Sequence, residues 1–195
     1  MKKFRCIFAP LALAFLCSNA SAIEYSQVLA EKSTLTFTSQ QMGVPVQGRF
    51  PKFLARVAFD PAKPEAAKVD ITVDLNAIDA GSQEANDEVV GKQWFNVRMF
   101  PSASFVSTKI KALSASRYEV SGPLTIKGRA VPITATFTLK TEGAAAVFDG
   151  GFTMKRIDFA IGEGPWADGS TVANDIQVTF RIVAAPVKAA TNNSK

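Results

Sequence analysis

From Gly122 to Lys140 apolar and polar residues alternate almost without interruption. Leu124 and Ile126 alternate with Thr125 and Lys127. Beyond Gly128, Val131, Ile133, Ala135, Phe137 and Leu139 alternate with Pro132, Thr134, Thr136, Thr138 and Lys140. Successive side chains of a strand point to opposite faces, so the pattern predicts two strands and a turn, apolar on one face and hydroxyl-rich on the other. The same period recurs along the chain. Thr34–Thr38 places Leu35 and Phe37 together, and Phe53–Phe59 stops at the turn signal Asp60-Pro61. Lys68–Leu75 sets Val69, Ile71, Val73 and Leu75 against Asp70, Thr72 and Asp74. Strands are also expected at Ala103–Ile110, Tyr118–Ile126, Ala146–Ile161 and Ile176–Ile182. Gly122-Pro123 predicts a bulge and Gly150-Gly151 a kink, while the glycines and Pro45 of Gly43–Phe50 predict a bent connection.

One stretch breaks the period. In Ala85–Phe95 the charges Asp87, Glu88 and Lys92 and the apolar residues Val89, Val90, Trp94 and Phe95 are spaced closer to 3.6 than to 2. That spacing predicts a short amphipathic helix, placed to lie as a lid over a barrel mouth, with Trp94 reaching the interior. Eight strands, one short helix and no repeat predict an all-β fold, an antiparallel barrel or sandwich in a single domain.

The two ends read differently from the middle. Lys2, Lys3 and Arg5 precede an apolar run from Ile7 to Leu16, and Ala20-Ser21-Ala22 forms a small-x-small cleavage site. Residues 1–22 are therefore expected to be a signal peptide, residues 23–184 the barrel and residues 185–195 a polar, flexible tail. The expected location is the periplasm. Both cysteines, Cys6 and Cys17, fall in the signal, so the exported part must be held by its core without disulfides. Loss of the three basic residues lowers the net charge from +5 to about +2, and no basic cluster remains to engage nucleic acid.

Composition then narrows the chemistry. The chain has no histidine, and its exported part has no cysteine. Ser-His-Asp and Cys-His catalysis, His/Cys zinc sites and His-ligated haem are thereby excluded; calcium or a carboxylate pair stays open by composition, though no metal or cofactor is expected. An enzyme would have to work through carboxylates, and the strand phases turn nearly all of them outward. Phenylalanine is abundant, with 15 Phe against 2 Tyr and 2 Trp. The ordinary role of any one of them is core packing, which leaves a structural barrel with a filled interior as one reading. As a set, Phe and Val walls suit an eight-stranded barrel that encloses one apolar ligand. At about 0.8 kcal/mol per buried CH₂, roughly ten carbons match the ~8 kcal/mol of a micromolar complex before ordering costs. An outer-membrane barrel would need girdles of Tyr and Trp, which this composition does not supply.

Several segments in order carry a resemblance to a known family. They are Gln41-Met42-Gly43, Gly48-Arg49-Phe50, Phe59-Asp60-Pro61, Val69–Leu75 with Ile78-Asp79, and Trp94-Phe95-Asn96 with Phe100-Pro101 and Phe105. Gly122–Gly128 and Arg156-Ile157-Asp158-Phe159 complete the set. From Tyr25 to Ile182 the chain resembles the YceI-like proteins, exported polyisoprenoid-binding proteins with a lipocalin-like barrel. Two positions depart from the family pattern: Gln41 stands where many relatives carry His, and Ala160 where Gly is common. The resemblance implies an extended eight-stranded antiparallel barrel whose tunnel holds a long-chain isoprenoid lipid, with transient contact to a membrane or membrane protein. On that footing Phe37, Met42, Phe50, Phe53, Val73, Trp94, Phe105, Leu124, Phe152 and Phe159 are the expected ligand-binding residues.

Overall fold

The computed structural model describes residues 23–187. The expected signal peptide and residues 188–195 of the expected tail lie outside them. Eleven strands form one antiparallel sheet: β1 (Glu24–Val28), β2 (Thr34–Gln41), β3 (Val44–Arg49), β4 (Phe53–Ala58), β5 (Lys68–Asp74), β6 (Ser102–Val106), β7 (Lys109–Ala112), β8 (Arg117–Ile126), β9 (Arg129–Glu142), β10 (Ala145–Lys155) and β11 (Asp175–Val187). One α-helix among the described residues, α1 (Gln83–Val89), follows β5.

The order β3-β2-β11-β10-β9-β8-β6-β5-β4 ends on two strands that are neighbours in the chain, separated only by Phe50–Lys52. The sheet therefore curls until its edges meet. Across the seam, Tyr25 bridges Phe59 and Arg49 bridges Asp79. The eleven segments amount to eight staves. β1 and β2 both pair with β11, at Ala184–Val187 and Gln177–Arg181. β6 and β7 both pair with β8, and β3 runs on into β4. The expected all-β, lipocalin-like barrel with one short helix is the fold, with three staves broken in two.

The breaks have local causes. Between β1 and β2 the chain makes a 3-10 turn at Ala30–Lys32, and the buried Ser33 hydroxyl donates to the Leu29 carbonyl while accepting from the Val183 N–H. Between β6 and β7 the neighbour is Gly122-Pro123. Proline has no N–H for the ladder, and a Cβ on Gly122 would strike the Val106 carbonyl. The expected bulge is thus displaced: β8 itself keeps register, with Gly122 opposite Ile133 and Pro123 opposite Pro132, and the partner strand breaks instead.

Other expectations shift in the same way. Gly43–Phe50 is mostly strand β3 rather than a bent connection, since Pro45 lies on an edge that tolerates it. Gly150-Gly151 leaves the ladder with β11 unbroken from Ala146 to Lys155, while pairing with β9 ends at Gly151, so β10 parts from one neighbour at the glycine pair. The glycines make room: Gly150 lies opposite both Phe180 and Phe137, and a Cβ there would stand 2.7 Å from the Phe180 ring. The long strand expected to Ile161 stops at Lys155, where a 3-10 turn at Arg156–Phe159 begins. β11 outlasts the expected barrel boundary, with Ala185, Pro186 and Val187 paired to β1.

Candidate ligand-binding cavity

The inward side chains do not fill the barrel. They surround a cavity of about 490 Å³, within the range of small-molecule pockets. Its wall alternates down the strands as a period of 2 requires: Leu35 and Phe37 on β2, Val69, Ile71 and Val73 on β5, Phe105 on β6, and Leu124 and Ile126 on β8. β9 adds Ile133, Ala135 and Phe137, and β11 adds Ile176, Val178, Phe180 and Ile182.

One end is a floor of aromatic rings. Phe59 meets Tyr118 edge-on at 5.2 Å and Phe148 at 5.3 Å, and Tyr118 stacks on Phe137 at 5.3 Å. Offset and edge contacts of this kind are the favoured aromatic geometries. Around them Ala146 and Ala184 have no exposed surface. Toward the other end the same inward faces become only half-buried, as at Phe37, Phe50, Phe152 and Ile176. The cavity is therefore a blind tunnel with one mouth.

The mouth is built by the connections at that end. The tip of the β2–β3 hairpin is tied to the segment after β10: the Met42 N–H donates to the Thr171 carbonyl at 2.8 Å, and the Ala173 N–H to the Gln40 carbonyl at 2.9 Å. α1 is capped by Ser82, whose hydroxyl accepts from the Ala85 N–H. It places Ser82, Glu84, Ala85, Glu88 and Val89 on the lining. The chain then folds back on itself, with the Asn96 N–H donating to the Gly91 carbonyl, which brings Trp94 beneath the helix. The expected helix at Ala85–Phe95 is thus shorter and begins earlier. The Trp94 indole N–H donates to Glu88 Oε1 at 3.0 Å, and its ring lies 5.5 Å from that of Trp166.

Arg156 is the most unusual residue of the lining. It is 1% exposed, and no carboxylate among the described residues pairs with it. Its guanidinium donates instead to five backbone carbonyls, those of Ile161, Gly162, Trp166, Val172 and Ala173. It also sits 5.6 Å from the Trp94 ring, in cation–π range. Burial pulls its pKa below the ordinary arginine value, with Asp168 acting the other way, but a guanidinium stays charged. One side chain thus gathers the long β10–β11 connection into a wall. Gly162 is fitted to it: its φ is +78°, and a Cβ there would strike Arg156 Nη1.

Seven of the ten expected residues meet at the cavity: Phe37, Phe50, Val73, Trp94, Phe105, Leu124 and Phe152. Three do not. Met42 is 75% exposed at the hairpin tip, where φ is +49° and the side chain has left the strand's alternation. Phe53 pairs with Val73 at the end of β4 and borders a separate groove with Pro51, Pro101 and Ser102. Phe159 is 1% exposed and packs in the core without reaching the cavity surface. Its strand period had already ended at Arg156. The carboxylates of the lining are Glu84 and Glu88, both at the mouth, and Asp158 is exposed outside. The ionisable members of the lining, Arg156, Glu84 and Glu88, were not among the expected ligand-binding residues. Glu88 was legible as a charge on the amphipathic segment, and Arg156 only as part of a family motif.

Comparison with known proteins agrees with this geometry. The YceI-like domain family matches residues 27–184. The chain is 28% identical over 181 residues to Protein YceI of Salmonella arizonae, covering 92% of this chain and 88% of that protein. It is 30% identical over 141 residues to a UPF0312 protein of Pseudomonas syringae, covering 69% and 72%. Among solved structures, BcnA of Burkholderia cenocepacia superposes with a TM-score of 0.79 at 42% identity, over 82% of this chain and all of that one. A polyisoprenoid binding domain from Saccharophagus degradans has the same fold, with a TM-score of 0.64 at 15% identity over 85% and 99%. A curled antiparallel sheet around an apolar blind tunnel, and a family match running almost from β1 to the end of the paired β11, place this chain in the YceI-like family.

Proposed function

We propose that this protein is an exported carrier that holds the hydrocarbon chain of a polyisoprenoid lipid in its barrel, in the periplasm. The observation that carries the reading is the tunnel itself: about 490 Å³, walled mainly by Phe, Val, Ile and Leu, closed by aromatic rings at one end, with its carboxylates at the mouth. Such a site rewards a long, thin apolar ligand that enters tail first and leaves its headgroup at the rim. Burial of each CH₂ contributes about 0.8 kcal/mol, so affinity grows with the length of chain taken up. The domain of Saccharophagus degradans, described as polyisoprenoid-binding, shares this architecture and supports the choice of ligand class. Binding is favoured over catalysis by the lining. Its carboxylates stand at the mouth, and the donors of Arg156 are committed to backbone carbonyls.

Native mass spectrometry of the protein isolated from its own periplasm tests the proposal. A co-purifying mass that fragments in five-carbon steps is expected. Recovery of the protein from the cytoplasm, or of unliganded protein that takes up no prenyl lipid on addition, would overturn it.

A further inference from the structure

The charges around the mouth are not balanced. Among the described residues the lining carries three ionisable side chains: Glu84, Glu88 and Arg156. Glu84 and Glu88 lie one turn apart on α1, on the face that also presents Ala85 and Val89 to the cavity. Glu84 is held in its charged form by its own backbone N–H and the Ser82 hydroxyl, which lower its pKa. The cation of the set is Arg156, which has no N–H left to donate to a ligand and whose single charge is outnumbered by the two carboxylates. All five of its N–H donors are committed to the carbonyls of Ile161, Gly162, Trp166, Val172 and Ala173. Lys127, on the turn after β8, is itself bonded to Glu163 and the Ala160 carbonyl, and it is not part of the lining. A lipid seated tail first in the blind tunnel therefore presents its head to two carboxylates, two serines (Ser39 and Ser82) and Gln41, with no free cationic donor among the described residues of the lining.

Carboxylates accept hydrogen bonds and repel anions. Building on the lipid-carrier reading above, we propose that the Glu84/Glu88 rim selects prenyl lipids whose headgroup is uncharged and donates a hydrogen bond, and disfavours the same chains ending in phosphate. Because the rim is solvent-exposed, the discrimination is screened by salt.

The test compares geranylgeraniol with geranylgeranyl monophosphate, two probes with one tail, by titration calorimetry on delipidated protein. At low salt the alcohol is expected to bind about tenfold more tightly, a ratio that shrinks as ionic strength rises. In the Glu84→Gln, Glu88→Gln double variant the ratio should fall toward unity. The amide introduced at position 88 still has an oxygen to accept from the Trp94 indole, so the mouth retains its hydrogen bond. Asp87→Asn makes one of the same charge changes on α1 away from the lining and should leave the ratio as in the parent protein. Equal or tighter binding of the phosphate by the parent protein would overturn the proposal. So would an unchanged ratio in the double variant, or an equal loss in Asp87→Asn. If neither probe binds at all, the lipid-carrier reading fails with it, an outcome distinct from loss of headgroup preference.

Discussion

Replacing Arg156 by Met tests whether one buried cation organises the mouth. Removing a buried charge is often neutral when apolar side chains can take over its space, because the charge had paid a large desolvation cost. That escape is closed here. The partners of Arg156 are five backbone carbonyls, fixed in place by the chain, and no substitution elsewhere can remove them. The carbonyls of Trp166, Val172 and Ala173 belong to half-buried residues and can turn to water, whereas Ile161 and Gly162 are buried. Two orphaned acceptors at about 1–3 kcal/mol each, less some relaxation, give a loss of about 2–5 kcal/mol for Arg156→Met. Against a total stability of about 5–15 kcal/mol that is a large share. Arg156→Lys keeps the charge with three donors instead of five, and about half of the loss should return. Urea unfolding followed by circular dichroism measures both. Hydrogen exchange locates the effect: amides of 160–174 should lose protection while those of β1, β7 and β8 around the aromatic floor keep theirs. A Met variant within about 1 kcal/mol of the parent, or protection lost evenly along the barrel, would refute the reasoning.

Other consequences follow from single positions. Val73→Asp buries a carboxylate in the apolar wall, and both stability, by several kcal/mol, and prenol binding should fall; a folded variant with undiminished binding would show that Val73 does not face the ligand. Trp94→Phe removes the indole bonded to Glu88 and should abolish most of the fluorescence change on adding a prenol, leaving the smaller response of Trp166. Ala160 holds φ at +55°, the left-handed region, so Ala160→Gly should stabilise the chain by about 1 kcal/mol in urea unfolding. The carboxyls of Asp74, Asp79, Glu84, Glu163 and Asp168 are lowered by hydrogen bonds, chiefly from backbone N–H groups at Asp79, Glu84 and Asp168 and from the side chains of Asn76 at Asp74 and Lys127 at Glu163. Depressed carboxylates contribute stability that is present above their unfolded pKa and lost as pH falls through the folded one. With no histidine in the chain, thermal stability and prenol affinity should be flat between about pH 5.5 and 7.5, with stability declining only below about pH 4. A tenfold change in affinity within the flat range would contradict this.

Period-2 alternation was enough to determine an antiparallel all-β fold with one apolar face, barrel or sandwich, because each inward position of a half-buried strand must be apolar whatever its partners are. Val69, Ile71 and Val73, or Ile176, Val178, Phe180 and Ile182, could be assigned to the wall from spacing alone, and they line it. Absence of histidine likewise removed whole classes of chemistry without a structure. Local pattern failed where the chain left the strand period. Met42 and Phe159, expected to bind ligand, sit at a left-handed and a 3-10 turn, outside any strand period, and the turns carry both away from the cavity lining. Breaks in the staves were also misplaced, since Gly122-Pro123 acts on its neighbour rather than on its own strand. Only the tertiary structure decided whether the Phe-rich interior is filled or hollow, because that depends on how Phe59, Tyr118, Phe137 and Phe148 stack at one end and on the space Gly150 leaves beside Phe180. It alone brought Arg156 to carbonyls 5 to 17 residues away and set Glu84 and Glu88 at the mouth. Those contacts join segments distant in sequence, and no periodicity along one strand encodes them.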